Sequence, residues 1–197
     1  METQIKIKEY DIFSTENKQE KICHLSFSFK EYTENDSYEG GRIEVFLTNK
    51  NGWRNKPFSQ SWSPSNKHNR YEIDHISDFL IPLDVSSYGI GKFIWQKIYE
   101  NLPETVRDNI EISGTLSQVD NKKVERWNPI TNTMEEINNL IRRNQFWKNL
   151  ITDFSEDSKA VFHSNEEGDG NFLGRLNGDY LQKTTQEKII ATLVDPQ

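Results

Sequence analysis

The sequence predicts an α+β fold: a mixed, mostly antiparallel sheet flanked by helices. Three observations carry that expectation. Before residue 50, apolar side chains recur at every second position, the period of strands with one buried face. From Gly89 onward they recur at the three-to-four spacing of an amphipathic helix. Further along, short segments of both periods follow one another with turn residues between them, and neither a repeat nor a low-complexity linker divides the 197 residues.

Taken in order, Ile5 and Ile7 open a strand over residues 3–10. Cys23, Leu25, Phe27 and Phe29 alternate with His24, Ser26, Ser28 and Lys30, and Ile43, Val45 and Leu47 alternate with Arg42, Glu44 and Phe46. Asn35-Asp36-Ser37 and Gly40-Gly41 supply turn chemistry between these runs, so residues 21–48 read as an antiparallel hairpin. Residues 49–70, rich in Asn, Ser, Lys and Pro, read as a loop whose Trp53, Phe58 and Trp62 either pin it to the sheet or meet a ligand. Apolar character returns over 71–83, where Pro82 marks an edge, a bulge or a strand end.

Ile90, Phe93, Ile94, Ile98 and Leu102 then define a helix that Pro103 stops. A strand is expected over 110–116. A second helix is expected from Thr133, where Thr133 and Glu136 make a capping-box pattern, with Met134, Ile137, Ile141, Phe146 or Trp147, Leu150 and Ile151 as its apolar face. Residues 159–163 and 171–176 read as short strands about a turn over 165–170, and residues 189–194 as helix or strand. One domain over 1–197 is expected, with a strand-rich part over 1–70.

Composition removes several classes of function. With 24 basic against 31 acidic residues and a net charge of −7, a broad electrostatic footprint for nucleic acid is not expected, because phosphate neutralisation needs clustered Lys and Arg. A single cysteine excludes an internal disulfide and a cysteine-ligated zinc site; Cys23 belongs to an apolar face and reads as a structural thiol. No apolar run reaches the ~18–20 residues of a membrane span, and the first residues lack the apolar stretch of a secretory signal. A soluble cytoplasmic protein with no membrane partner is the expectation. The four histidines show no zinc spacing, and His75 and Asp78, three apart on a strand, point to opposite faces. The 165–170 segment partly matches a calcium loop but has Leu176 where a twelfth-position carboxylate is required, so it reads as a hairpin turn.

The segment that carries chemistry is Phe79-Leu80-Ile81-Pro82-Leu83-Asp84-Val85-Ser86-Ser87-Tyr88-Gly89-Ile90-Gly91-Lys92-Phe93. A buried strand enters a loop with two glycines, and that loop opens a helix. First-turn amides of a helix lack internal partners and carry the positive end of its dipole, and glycines let a phosphate approach the backbone. The P-loop pattern fails at Ser86 and Phe93, and the dinucleotide fingerprint fails at Ile94.

The Gly89-Ile90-Gly91 loop and its flanking elements resemble the acyl-CoA pyrophosphate loop of the GNAT (GCN5-related N-acetyltransferase) superfamily, which reads Gln/Arg-x-x-Gly-x-Gly/Ala. The resemblance covers roughly residues 71–180 and extends to the order of strand, loop, helix, strand, helix and strands, with Asn139 and Phe146-Trp147 at about the family's spacing on the second helix. It implies an acyl-CoA-binding core with acetyl-CoA or another acyl-CoA as substrate, held by Ile81, Leu83, Ser86, Ser87, Tyr88, Gly89, Ile90, Gly91 and Lys92. It further implies an amine acceptor, a small molecule or a protein, attacking the thioester directly. Carboxylates near the central strand, Glu72, Asp74, Asp78 and Asp84, are the available bases, each also readable as a solvated surface group. Lys92, Arg142 and Arg143 are candidates to neutralise CoA phosphates, Lys92 also readable as a snorkelling surface lysine.

Three departures separate the chain from the pattern. Ser86 replaces Gln or Arg; Phe146 or Trp147 stands where a tyrosine often protonates the leaving thiolate; and Asn149-Leu150-Ile151 replaces a Gly-Phe turn. The helices that usually form the acceptor floor have no counterpart between residues 10 and 42. The alternative is therefore a non-catalytic acidic protein-binding or inhibitor module on the same fold.

Overall fold

Alternation decides the first three strands. A computed structural model describes residues 2–15, 20–34, 37–65, 70–76, 79, 81, 85, 88–117, 123–128, 131–154, 158–183 and 189–194. β1 (Glu2–Ser14), β2 (Lys21–Glu34) and β3 (Ser37–Asn49) form an antiparallel meander. Its register places Leu25 opposite Leu47, Phe27 opposite Val45 and Phe29 opposite Ile43, all six buried. The 21–48 hairpin is thus as expected, but Gly40 and Gly41 lie within β3 rather than in its turn, opposite Tyr32 and Glu31. Asn35 and Asp36 lie outside the described residues.

The expected loop over 49–70 is largely a strand, β4 (Arg54–Pro64). Phe58 opposes Val45 and Trp62 opposes Gly41, and both rings are buried. Burying such a side chain contributes roughly 1.5–3 kcal/mol. The polar composition misleads because the other face of this sheet meets water. Ser59 opposes Glu44 and Ser61 opposes Arg42, as an antiparallel sheet with one solvated face allows. Pro57 falls at the register shift between Val45 and Leu47, where a residue without an N–H is tolerated. Trp53 is exposed in the preceding turn.

β5 (Tyr71–Ile73) continues the sheet from β4. It is far shorter than the apolar stretch over 71–83, whose Pro82 lies outside the described residues. The helix read from Ile90 is present as α1 (Ile90–Asn101), ending before Pro103, and a single turn, α2 (Glu104–Arg107), follows. β6 (Ile110–Leu116) has the expected bounds and pairs parallel with β5, so β5–α1–β6 is a crossover unit.

The second helix starts later than expected. Residues 123–138 form a two-stranded hairpin of β7 (Lys123–Asn128) and β8 (Thr133–Asn138), and α3 spans Asn139–Leu150. Asn138, not Thr133, caps α3: its Oδ1 accepts from the Ile141 amide at 3.0 Å. Glu136 reaches across the hairpin to Lys123 at 2.9 Å instead of back to Thr133. Cross-strand pairing outcompetes the local capping signal here. Met134 and Ile141, assigned to an apolar helix face, are exposed, whereas Trp147 and Leu150 are buried.

β9 (Ile151–Thr152), β10 (Val161–Ser164), β11 (Gly170–Leu176), the short α4 (Gly178–Gln182) and β12 (Ile189–Val194) complete the chain. The 165–170 segment is a hairpin turn, as expected. The Asn165 Oδ1 accepts from the amides of Glu167, Gly168 and Asp169. Residues 189–194 resolve as strand. Among the described residues the large sheet runs β10-β11-β6-β5-β4-β3-β2-β1-β12, with β9 beside β11. Every strand pair is antiparallel except β5–β6. The core lies between one face of this sheet and the helices. Phe93 and Trp95 of α1 meet Tyr10 and Phe58 at 5.6 and 5.0 Å between ring centroids, and Trp147 of α3 stacks on Phe172 at 4.4 Å. Cys23 is fully buried on the same face.

Candidate functional site

Among the described residues one junction in the sheet is parallel, that of β5 with β6, the strands that precede and follow α1 in the chain. After Glu72↔Glu111 the next pairing is Ile76↔Gly114, so four steps along β5 match three along β6. The extra residue is the signature of a bulge. The Ile76 amide donates to the Ser113 carbonyl at 2.9 Å, and the Thr115 amide to the Ile76 carbonyl at 3.0 Å. The bulge turns His75 outward, where its Nε2 lies 2.6 Å from the Thr115 hydroxyl and its Nδ1 3.4 Å from that of Ser113. The hydroxyl partners of His75 sit 38 and 40 positions away in the sequence, and only strand register brings them together. Of the four candidate carboxylates, Glu72 is half-buried on β5 and Asp74 is exposed. Asp78 and Asp84 lie outside the described residues.

Past Ile76 the chain drops an aromatic side chain into the core. Phe79 stacks on Phe146 at 5.9 Å with planes 5° apart, and meets Trp147, Trp95 and Phe58 edge-on or tilted. This cluster joins the loop to α1, α3 and β4. Ile81 and Tyr88 pack half-buried against the same core, and Val85 is buried. The indole N–H of Trp95 is buried in this region with no hydrogen-bond partner among the described residues, a cost of about 1–3 kcal/mol for a desolvated donor.

Gly89 starts α1 in the left-handed region, with φ 80° and ψ 15°. A side chain there would have open space around its Cβ, so the demand for glycine is conformational rather than steric. Gly89 has no side chain with which to cap the helix, and no acid stands in its first turn; the first internal bond is Phe93 N–H to the Gly89 carbonyl at 3.1 Å. Ile90 is fully buried and anchors the turn. A Cβ on Gly91 would lie 3.5 Å from Phe79 and 3.6 Å from Phe146, which places α3 against the same turn. Leu83, Ser86 and Ser87 lie outside the described residues.

The basic candidates are engaged elsewhere. Lys92 turns toward α4, donating to the Lys183 carbonyl at 2.8 Å and lying 4.7 Å over the Tyr180 ring, and burial lowers its pKa. The negative end of a helix suits it. Arg143 clamps the turn below α3: it donates to the carbonyls of Ser117 and Gly168 and to Asn144 Oδ1. Burial lowers its pKa against the opposing pull of Asp169. Arg142 is exposed on α3. Among the described residues, no group of three or more His, Cys, Asp or Glu is arranged to hold a metal ion, and no helix is long and apolar enough to cross a membrane.

Fold and site together define an α+β protein in which one parallel strand–helix–strand unit interrupts an otherwise antiparallel sheet. Compared with known proteins, the chain matches no family model, no curated protein and no solved structure.

Proposed function

We propose that the chain binds an acyl-CoA in the manner of the GNAT superfamily, with the pyrophosphate on the first-turn amides of α1, and passes the acyl group to an amine. The observation that carries the reading is the start of α1. A left-handed glycine at the N-cap, without a side chain to cap the helix, and a first turn without acids lie in the chain between the two strands of the parallel pair. Ligands of parallel strand–helix units bind beyond the carboxyl ends of the strands, and phosphates favour helix N-termini. Lys92 is absent from the reading as a phosphate ligand, because its ammonium is held by α4. The donors are backbone groups, which the change at Ser86 leaves intact.

In this reading the amine nitrogen bonds to the thioester carbonyl carbon, its proton passes to a side chain of the β5 region, and the C–S bond breaks to release the CoA thiolate. Glu72, Asp74 and His75 are described there, and imidazole is the commonest general base. A second reading, binding without transfer, is favoured by one observation. Phe146 lies against Gly91, and neither it nor Trp147 can protonate a departing thiolate. That form serves a protein partner instead.

Thermal unfolding with saturating acetyl-CoA, against an unrelated nucleotide at equal ionic strength, tests the reading. At 100 times its Kd a ligand adds ~2.7 kcal/mol, a rise of roughly 5–10 °C in Tm for a chain of this size. The rise is expected to vanish in a Gly89→Glu variant that still folds, because the space around a Cβ there is open and the added carboxylate stands at the start of α1. No rise in the wild-type chain overturns the proposal. Thiol release with a panel of amines then separates transfer from binding alone.

A further inference from the structure

Among the described residues only half of the outer edge of β1 is covered. β12 pairs with it from Glu9 to Ser14, while residues 2–8 pair with β2 on one side and with no described strand on the other. This seven-residue edge carries neither proline nor a bulge, but its lysines are themselves a device against strand addition that a partner must neutralise. Its side chains divide by face. Lys6 and Lys8 oppose Phe29 and Phe27 of β2, and Ile5 and Ile7 oppose Lys30 and Ser28. The two isoleucines are 60% and 49% exposed.

The segment is complementary to itself. Laid antiparallel on a second copy about a two-fold through Ile5, it sets Glu2 opposite Lys8, Gln4 opposite Lys6, Thr3 opposite Ile7 and Ile5 opposite Ile5. Residues of equal parity meet, as a continuous sheet requires, so side chains keep their faces. The Glu2–Lys8 pair forms twice, once per symmetric half, and the isoleucines of the two copies make one apolar patch. The added strand would end beside Lys8, where β12 begins at Glu9. We propose that a second copy of the chain pairs along residues 2–8, extending the sheet across a two-fold axis. A single strand pair buries less than the ~1,200–2,000 Å² of stable complexes, so the dimer is a weak, concentration-dependent one. This inference does not depend on acyl-CoA binding.

Sedimentation velocity from about 1 to 200 μM reads the association directly; a mass rising from 23.2 kDa toward twice that value is expected. Lys8→Glu and Glu2→Lys are each expected to weaken self-association by roughly 10-fold, since each converts two attractive cross-strand pairs to repulsive ones. An equimolar mixture of the two variants is expected to associate as the wild type does, because each supplies the charge the other lacks. Ile5→Lys, at an exposed position that folding does not need, is expected to leave the chain monomeric with unchanged Tm at low concentration. A monomer throughout the range overturns the proposal. So does a dimer indifferent to these substitutions, or variants whose mixture stays apart.

Discussion

Gly114 is where the parallel junction is most sensitive to one added carbon. It pairs with Ile76 and lies beneath the Phe172 ring; a Cβ there would come within 2.6 Å of the Ile76 carbonyl oxygen and 2.6 Å of Phe172 Cε1. The ring can give way by shifting on Trp147, but the carbonyl is held by the Thr115 amide at 3.0 Å. Overpacking of this kind costs about 1–3 kcal/mol, and an unyielding backbone contact puts Gly114→Ala at the upper end, ~3 kcal/mol. For a chain of this length that lowers Tm by roughly 6–12 °C. Gly91→Ala is the internal contrast. Its Cβ would meet only ordinary contacts at 3.5 Å or more, and alanine is favoured over glycine in a helix by up to ~1 kcal/mol, so Tm should hold or rise. Urea unfolding at fixed pH checks both. The reasoning is refuted if Gly114→Ala stays within about 0.5 kcal/mol of the wild type, for then β5 and β6 do not approach as closely as described.

Two further predictions concern a carboxylate and a helix cap. The hydrogen bond from Lys56 lowers the Glu44 pKa, with burial opposing it and the charges of Lys56 and Arg42 assisting. A carboxyl depressed on folding stabilises the chain above its unfolded pKa of ~4.3 and loses that contribution as pH falls through the folded value. Glu44→Gln should therefore be less stable than the wild type at pH 7, and the gap should close in urea titrations repeated toward pH 3. Asn138→Ala should cost about 1 kcal/mol through loss of the α3 cap, whereas Thr133→Ala should cost little; equal losses measured by thermal unfolding would return the helix start to Thr133.

Legibility followed the range of the interactions. α1 was readable because Ile90, Ile94 and Ile98 repeat locally and Pro103 ends the run; β6 was readable because Ile110, Ile112 and Leu116 alternate within seven residues. β4 was not, since its outward face is serine and lysine, and only pairing with β3 shows that Phe58 and Trp62 are core. The start of α3 was misplaced for a related reason. Thr133 and Glu136 satisfy a local capping pattern, but Glu136 is drawn to Lys123 once β7 and β8 pair.

The candidate site divides along the same line. The glycine loop and the apolar helix behind it are local features, and the amino-acid order alone marks Gly89 as the start of a helix. Tertiary structure decided which side chains join it. It turned Lys92 to α4, spent Arg143 on the carbonyls of Ser117 and Gly168, set Phe146 against Gly91, and brought His75 to Ser113 and Thr115. Local periodicity reports which face of an element is buried; what that face and its charged neighbours meet depends on strand register, which residues tens of positions apart settle together.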